Sequence, residues 1–178
     1  MIYFLYRISD NGYVKTKLPN ATKERCLENF LDVFGKNPIT ILPDRMIPEK
    51  RQWLENRLHG IEGINIHQVP SERGGSSAQS FRYAMEYAIN NFPDDALVYL
   101  VEDDYLHLPY GPQAIEEGLK RADYVTLYDC IDKYVPASKG GNPLIDQTGS
   151  DETRVILTPT THWRLTNSTT CTFAAQVK

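Results

Sequence analysis

Six consecutive apolar residues, Ala96-Leu97-Val98-Tyr99-Leu100-Val101, run directly into three acids, Glu102-Asp103-Asp104. A strand wetted on one face alternates apolar and polar side chains. A short run without alternation is buried on both faces, as in the middle of a parallel sheet. The segment therefore reads as a central strand whose carboxyl end carries dense negative charge. The rest of the chain has to cover both of its faces.

The preceding segments supply that cover. Met1 to Ile8 is a β-prone apolar run closed by the turn cluster Ser9-Asp10-Asn11-Gly12. Cys26, Leu27, Phe30, Leu31 and Phe34 then recur at helical spacing, with Thr22 placed to cap the start and Gly35 to stop the helix. Ile39-Thr40-Ile41-Leu42 is a second strand, closed by Pro43-Asp44. It is followed by a helix with Pro48 near its first turn and Trp53, Leu54, Leu58 and Ile61 on one face. Ile64 to His67 is a third strand. A third helix carries Phe81, Met85, Ala88, Ile89 and Phe92 on one face and leads, past Pro93-Asp94-Asp95, into the central strand. A helix from about Gly111 to Arg121 and a strand over Tyr124 to Tyr128 continue the series. This alternation predicts an α/β fold with a mostly parallel central sheet flanked by helices.

After Asp129 the pattern changes. Pro136 to Glu152 is rich in Gly, Pro, Ser and Asp and reads as a long loop. Arg154 to Leu157, His162 to Leu165 and Thr170 to Ala174 read as short strands of a small antiparallel C-terminal part. With 178 residues, one domain over 1–178 is expected, with residues 1–129 as a binding part and 130–178 as an appended loop and strands.

Composition excludes some functions. A net charge of -4 gives no electrostatic case for nucleic acid or an anionic membrane surface. No apolar run is long enough to span a bilayer. The first residues lack a basic leader and a small-residue cleavage site, and read as a strand. Cys26, Cys130 and Cys171 are scattered and odd in number, without zinc spacing. They favour reduced thiols and a cytoplasmic protein.

In open parallel sheets ligands bind in the crevice outside the carboxyl ends of the strands. Those ends collect Arg7 and Asp10, Asp44 and Arg45, Arg73, Gly74 and Gly75, the three acids at 102–104, and Asp129. Adjacent carboxylates repel one another and resist desolvation, and a divalent cation offsets both effects. Glu102 and Asp104 share a direction if the extended conformation persists, and Asp104, furthest out, is the best direct ligand for Mg2+ or Mn2+. The plainer account is a solvated acidic turn. Gly74 and Gly75 open a helix, where backbone can approach an anion, but the stretch matches no phosphate-loop fingerprint and also suits a flexible turn with a serine cap. Asp44 suits a base N–H or simply a Pro-Asp turn. His162, beside Trp163, reads as a half-exposed structural histidine. His59, His67 and His107 show no ligand spacing, and Tyr83 and Tyr87 read as packing residues. None of the cysteines has an activating basic partner in sequence.

The pattern resembles the family 2 glycosyltransferases of the GT-A fold. The likeness rests on the opening β-α-β order, on Ile41-Leu42-Pro43-Asp44, and on Val98 to Asp104, which is similar to the family's acidic "DxD" signature with Glu in first place. Thr161 to Thr170 looks like the acceptor-side strands of such enzymes. The resemblance implies a metal-dependent transferase moving a sugar, with inversion, from a nucleoside diphosphate sugar to a hydroxyl acceptor such as a saccharide. It implies Asp44 on the nucleobase and Tyr6 and Arg7 lining the nucleotide pocket. Asp104 would hold the metal, with Glu102 or Asp103 on the ribose or the metal shell. The family's Ala-Arg-Asn run corresponds here to Ala78-Gln79-Ser80, leaving Arg73 or Arg82 to supply the charge. The expected general base has no clear place: the chain ends at Lys178, so it lies beyond the sequence or comes from Asp129, Asp132, Asp146 or Asp151. Two alternatives stand beside this one. They are a sugar nucleotidyltransferase, whose Gly-rich loop after the first strand is not matched by Tyr6 to Asp10, and a nucleotide-binding module of the same fold without catalysis.

Overall fold

The computed structural model describes residues 1–10, 19–130, 134–141, 154–166, 169 and 172–178. Its elements are β1 (Ile2–Ser9), α1 (Lys23–Phe34), β2 (Ile39–Asp44), α2 (Pro48–Leu58), β3 (Ile64–Ile66), α3 (Ser77–Asn91), β4 (Leu97–Glu102), α4 (Gly111–Leu119), β5 (Tyr124–Val125), β6 (Val155–Leu157), β7 (His162–Arg164) and β8 (Phe173–Gln176). Local signals start the helices as expected. Thr22 caps α1 by accepting from the Arg25 N–H at 3.2 Å, Pro48 opens α2, and Ser76 caps α3 through the Gln79 N–H at 3.2 Å.

The sheet has the order β3-β2-β1-β4-β8-β5. β1 pairs in parallel with β2 on one side (Tyr6 opposite Ile41) and with β4 on the other (Leu5 opposite Leu100, Arg7 opposite Glu102). The chain steps outward from β1 to β3 and then crosses back to β4. Crossovers of one hand place α1 and α2 on one face and α3 on the other. Each face has its own core. Phe4, Tyr6, Tyr99 and Val101 meet Phe30 and Phe34 of α1, Leu54 of α2 and Ile115 of α4. Leu5, Leu42, Val98 and Leu100 meet Ala84 and Ala88 of α3. The strand order reverses between β1 and β4, so their carboxyl ends flank a crevice.

The C-terminal residues depart from expectation in one respect. The segment predicted to join a small antiparallel group instead enters the main sheet. β8 runs antiparallel between β4 (Leu100 opposite Phe173) and β5 (Val125 opposite Ala174). Ala174, fully buried, is small enough to sit in the core beneath α4. The strand predicted over Tyr124 to Tyr128 keeps its ladder only to Val125. Beyond it the Thr126 hydroxyl takes over, donating to the Thr172 carbonyl at 2.6 Å and accepting from the Tyr128 N–H at 3.2 Å. β6 and β7 do form a separate antiparallel pair. That hairpin is tied to α4: Glu117 accepts from the Thr160 N–H and hydroxyl, both at 2.8 Å, and the Trp163 ring lies against Gly118, where an added Cβ would stand 2.9 Å from it.

Candidate functional site

At the crevice between β1 and β4, most charges are already paired. Arg7 points to the α3 face, donating to the Ser77 carbonyl and the Ser80 hydroxyl, each at 2.9 Å, and forming an ion pair with Glu102. Its guanidinium also lies 5.3 Å from the Phe81 ring centre. Asp103 accepts from the Ser9 N–H at 2.9 Å and lies 3.1 Å from the Lys23 ammonium. Strand pairing breaks off at Glu102 and the chain turns over Asp103 and Asp104. The parity expected to align Glu102 with Asp104 therefore ends there. Asp104 follows in this turn, half-buried.

Tyr6 and Arg7 do not share a pocket. Neighbouring strand residues face opposite sides of a sheet, and Tyr6 is wholly buried on the α1 side, its ring 4.7 Å from Phe30. Burial, with Asp103 nearby, raises its hydroxyl pKa well above the usual value. As placed, Tyr6 supports the rim from below and offers a ligand no surface. Arg73 is also displaced from its expected place. It forms an ion pair with Glu86 and lies 5.7 Å over the Tyr83 ring on the outside of α3, and Arg82 reaches the same Glu86 at 3.1 Å. Neither arginine is brought to the acids.

Asp44 and Gly75 do come together. The buried Asp44 carboxylate accepts from the Gly75 N–H at 3.1 Å. Gly75 has φ +104, in the left-handed region. A Cβ on Gly74 would fall 2.1 Å from Asp44 Oδ1, and one on Gly75 would fall 1.7 Å from the Arg45 guanidinium. The loop packs this closely on the end of β2 because it lacks side chains.

Beyond the acids, a cavity of about 550 Å³ opens between the β4–α4 loop, the end of β5 and the β6–β7 hairpin. That volume is in the range of small-molecule sites. Its walls include Tyr105, Tyr128, Tyr134, Trp163, Asp129 and Arg164. The Tyr105 and Tyr128 rings meet edge-on at 5.2 Å, the Tyr134 hydroxyl donates to Asp129, and the Arg164 guanidinium lies 4.4 Å from the Tyr134 ring centre. His162, exposed on β7, is on the lining as well. Tyr99 and His107 also line it, their side chains joined at 3.0 Å. Burial holds His107 neutral by pushing its pKa down to about 4. Its backbone is clamped to Asn29 of α1 through both its N–H and its carbonyl.

The sequence points to Asp129 and not to the aromatic groups around it. Their one trace is the high tyrosine count, 11, several of which fall just after strand ends. Asp132, Asp146 and Asp151, the other candidates for a base, lie outside the described residues. Among the described residues no three His, Cys, Asp or Glu side chains converge so as to hold a metal ion unaided, and no helix is long and apolar enough to cross a membrane.

Sheet order, crevice and helix placement define a Rossmann-like α/β fold. No family model matches the sequence, and no curated protein matches it. Among solved structures the chain is similar to 4-diphosphocytidyl-2C-methyl-D-erythritol synthase from Anaerococcus prevotii DSM 20548, with a TM-score of 0.51 and 14% identity over 99% of this chain and 70% of that one. It is also similar to a putative glucose-1-phosphate thymidylyltransferase from Bacillus anthracis in complex with a sucrose, with a TM-score of 0.53 and 8% identity over 99% of this chain and 72% of that one. Both neighbours are nucleotidyltransferases. At these identities the likeness is one of fold.

Proposed function

We propose that the chain is a transferase of sugar-nucleotide chemistry, with a nucleotide over the ends of β1, β2 and β4 and a second substrate in the aromatic cavity. One observation carries this reading. The acid-ended central strand stands at the point where strand order reverses, and Tyr105, directly after the three acids, is in the wall of the cavity.

Two chemistries use such an arrangement. The fold likeness to nucleotidyltransferases supports nucleotidyl transfer, in which a sugar phosphate attacks a nucleoside triphosphate and pyrophosphate leaves. It favours this reading over the glycosyl transfer that the sequence resemblance implied. Glycosyl transfer is kept as the second reading by a specific observation. Among the described residues the cavity lining carries a single arginine and no lysine, and that arginine already lies on Tyr134, a poor setting for a sugar phosphate.

The donor set suits a magnesium- or manganese-type cation in a limited way. Asp104, half-buried in the turn just beyond β4, is the carboxylate that would hold the ion together with substrate phosphates. When bound, such an ion neutralises phosphate charge and acts as a Lewis acid. Asp44, set by the Gly75 N–H, would accept from a base N–H, and the bare backbone of Gly74 and Gly75 supports a close approach. Arg7 and Lys23 hold the rim in shape so that substrates meet it preorganised.

The test is a paired assay. One arm measures pyrophosphate release from each nucleoside triphosphate with hexose 1-phosphates. The other measures nucleoside diphosphate release from UDP-, GDP- and dTDP-sugars with and without neutral saccharides, and both arms include manganese. Pyrophosphate release supports the first reading, and diphosphate release the second. If calorimetry finds no nucleotide bound with metal, both fall. Asp104→Asn is expected to weaken metal-dependent nucleotide binding at least tenfold, and unchanged binding removes Asp104 from the site.

A further inference from the structure

We infer that the cavity is a site for an uncharged saccharide, with Asp129 as its hydroxyl-binding residue and Tyr134 as the positioning residue that sets Asp129. The inference deepens the proposed function, and rests on it only in taking the rim as the place of reaction.

Three observations converge. The first is placement. Tyr105 follows Asp104 in sequence, Tyr128 precedes Asp129, and their rings meet at 5.2 Å. This contact draws the segment beyond β4 against the segment beyond β5, although β8 separates the two strands in the sheet. A molecule in the cavity therefore lies within reach of both rim segments. The second is charge. Among the described residues, the permanently charged groups of the lining are one carboxylate (Asp129) and one guanidinium (Arg164), which balance, and beside the imidazoles of His107 and His162 there is no lysine or second arginine to attract a phosphate monoester. His107, deeper in, is held neutral by its burial. The third is the pairing of ring surface with an acceptor. Tyr105, Tyr128 and Trp163 offer apolar faces with polar tips, and an exposed carboxylate accepts hydrogen bonds from adjacent hydroxyls. The Tyr134 hydroxyl donates to the Asp129 carboxylate, and Arg164 lies over the Tyr134 ring. The carboxylate is thus held in place while it keeps acceptor capacity for a ligand.

The chain has two tryptophans, and Trp163 lies in the cavity wall while Trp53 is on α2, so a Trp53→Phe protein reports the cavity by fluorescence. That protein is titrated with glucose, galactose, mannose, maltose, glucose 1-phosphate and inorganic phosphate. At least one neutral sugar is expected to give a saturable signal. Asp129→Asn is expected to weaken that sugar at least tenfold, and Tyr134→Phe several-fold, with thermal melts unchanged. The inference is overturned if no neutral sugar binds, if only the phosphorylated probes bind, or if Asp129→Asn binds as tightly as the parent. Nucleotide binding is followed separately by calorimetry. Neutral-sugar binding without any nucleotide binding would defeat the proposed function and leave the cavity assignment standing, and the reverse result would do the opposite.

Discussion

Arg7 and Glu102 lie opposite each other on neighbouring strands, and both are largely withdrawn from water. Removing one partner of such a pair strands the other charge, which costs more than the pair contributes. Glu102→Gln is therefore expected to lower unfolding free energy by about 3 kcal/mol in urea titration. A change under ~0.5 kcal/mol would mean that Ser77 and Ser80 alone satisfy the arginine. His107 makes a second prediction, with a defined sign. Its folded pKa, about 4, lies below the unfolded value of 6.5 because burial disfavours the cation. Between these values the unfolded chain binds the extra proton, so stability falls as pH drops through that window, by about 3 kcal/mol when complete. His107→Phe should flatten this part of the pH–stability curve relative to the parent, and identical curves would refute the assignment.

Among the elements, α4 and the β6–β7 hairpin depend on each other. Gly118 leaves no room: a Cβ there would stand 2.7 Å from a Val125 methyl and 2.9 Å from the Trp163 ring. Gly118→Val is expected to destabilise by about 2 kcal/mol through overpacking and to loosen the hairpin, seen as faster amide exchange at Trp163. Glu117 ties down the other end. Its desolvation works against ionisation, but hydrogen bonds from Thr160, Gln113 and Thr158 outweigh this and bring its pKa down to about 2. Its tie therefore holds fully above the ordinary value of 4.5 and weakens as pH falls toward 2, so the hairpin should loosen first under acid. Exchange at Thr160 that does not change with pH in that range would argue against this.

These elements also mark where the sequence was readable. β1 to β4 and their helices follow hydrophobic period and caps, such as Thr22 and the unbroken run before Glu102, because those signals are local. The place of β8 is not local: Phe173 to Gln176 looks like any short strand until β4 and β5 stand on either side of it. The rim residues were legible as a set, because strand ends face one crevice. Their partners were not. Nothing in the order of residues says that Arg73 will choose Glu86, or that Tyr6 will turn inward while Arg7 turns to α3. The aromatic cavity was hidden for the same reason, since Tyr105 and Tyr128 meet only once the sheet has formed.

At the scale of the whole molecule, β8 joins a sheet whose other inner strands were laid down much earlier in the chain. Its register bonds Phe173 to Gln176 to β4 on one side and Ala174 and Ala175 to β5 on the other. Deleting residues 173–178 is therefore expected to abolish cooperative unfolding and not merely shift its midpoint, as checked by circular dichroism melts. The same insertion bears on how the protein is made. While a ribosome is still reading toward residue 173, the nascent chain has two strands waiting with open edges and no neighbour to close them. Until residues 173–176 have been made, the growing polypeptide is exposed to pairing with other chains along those edges.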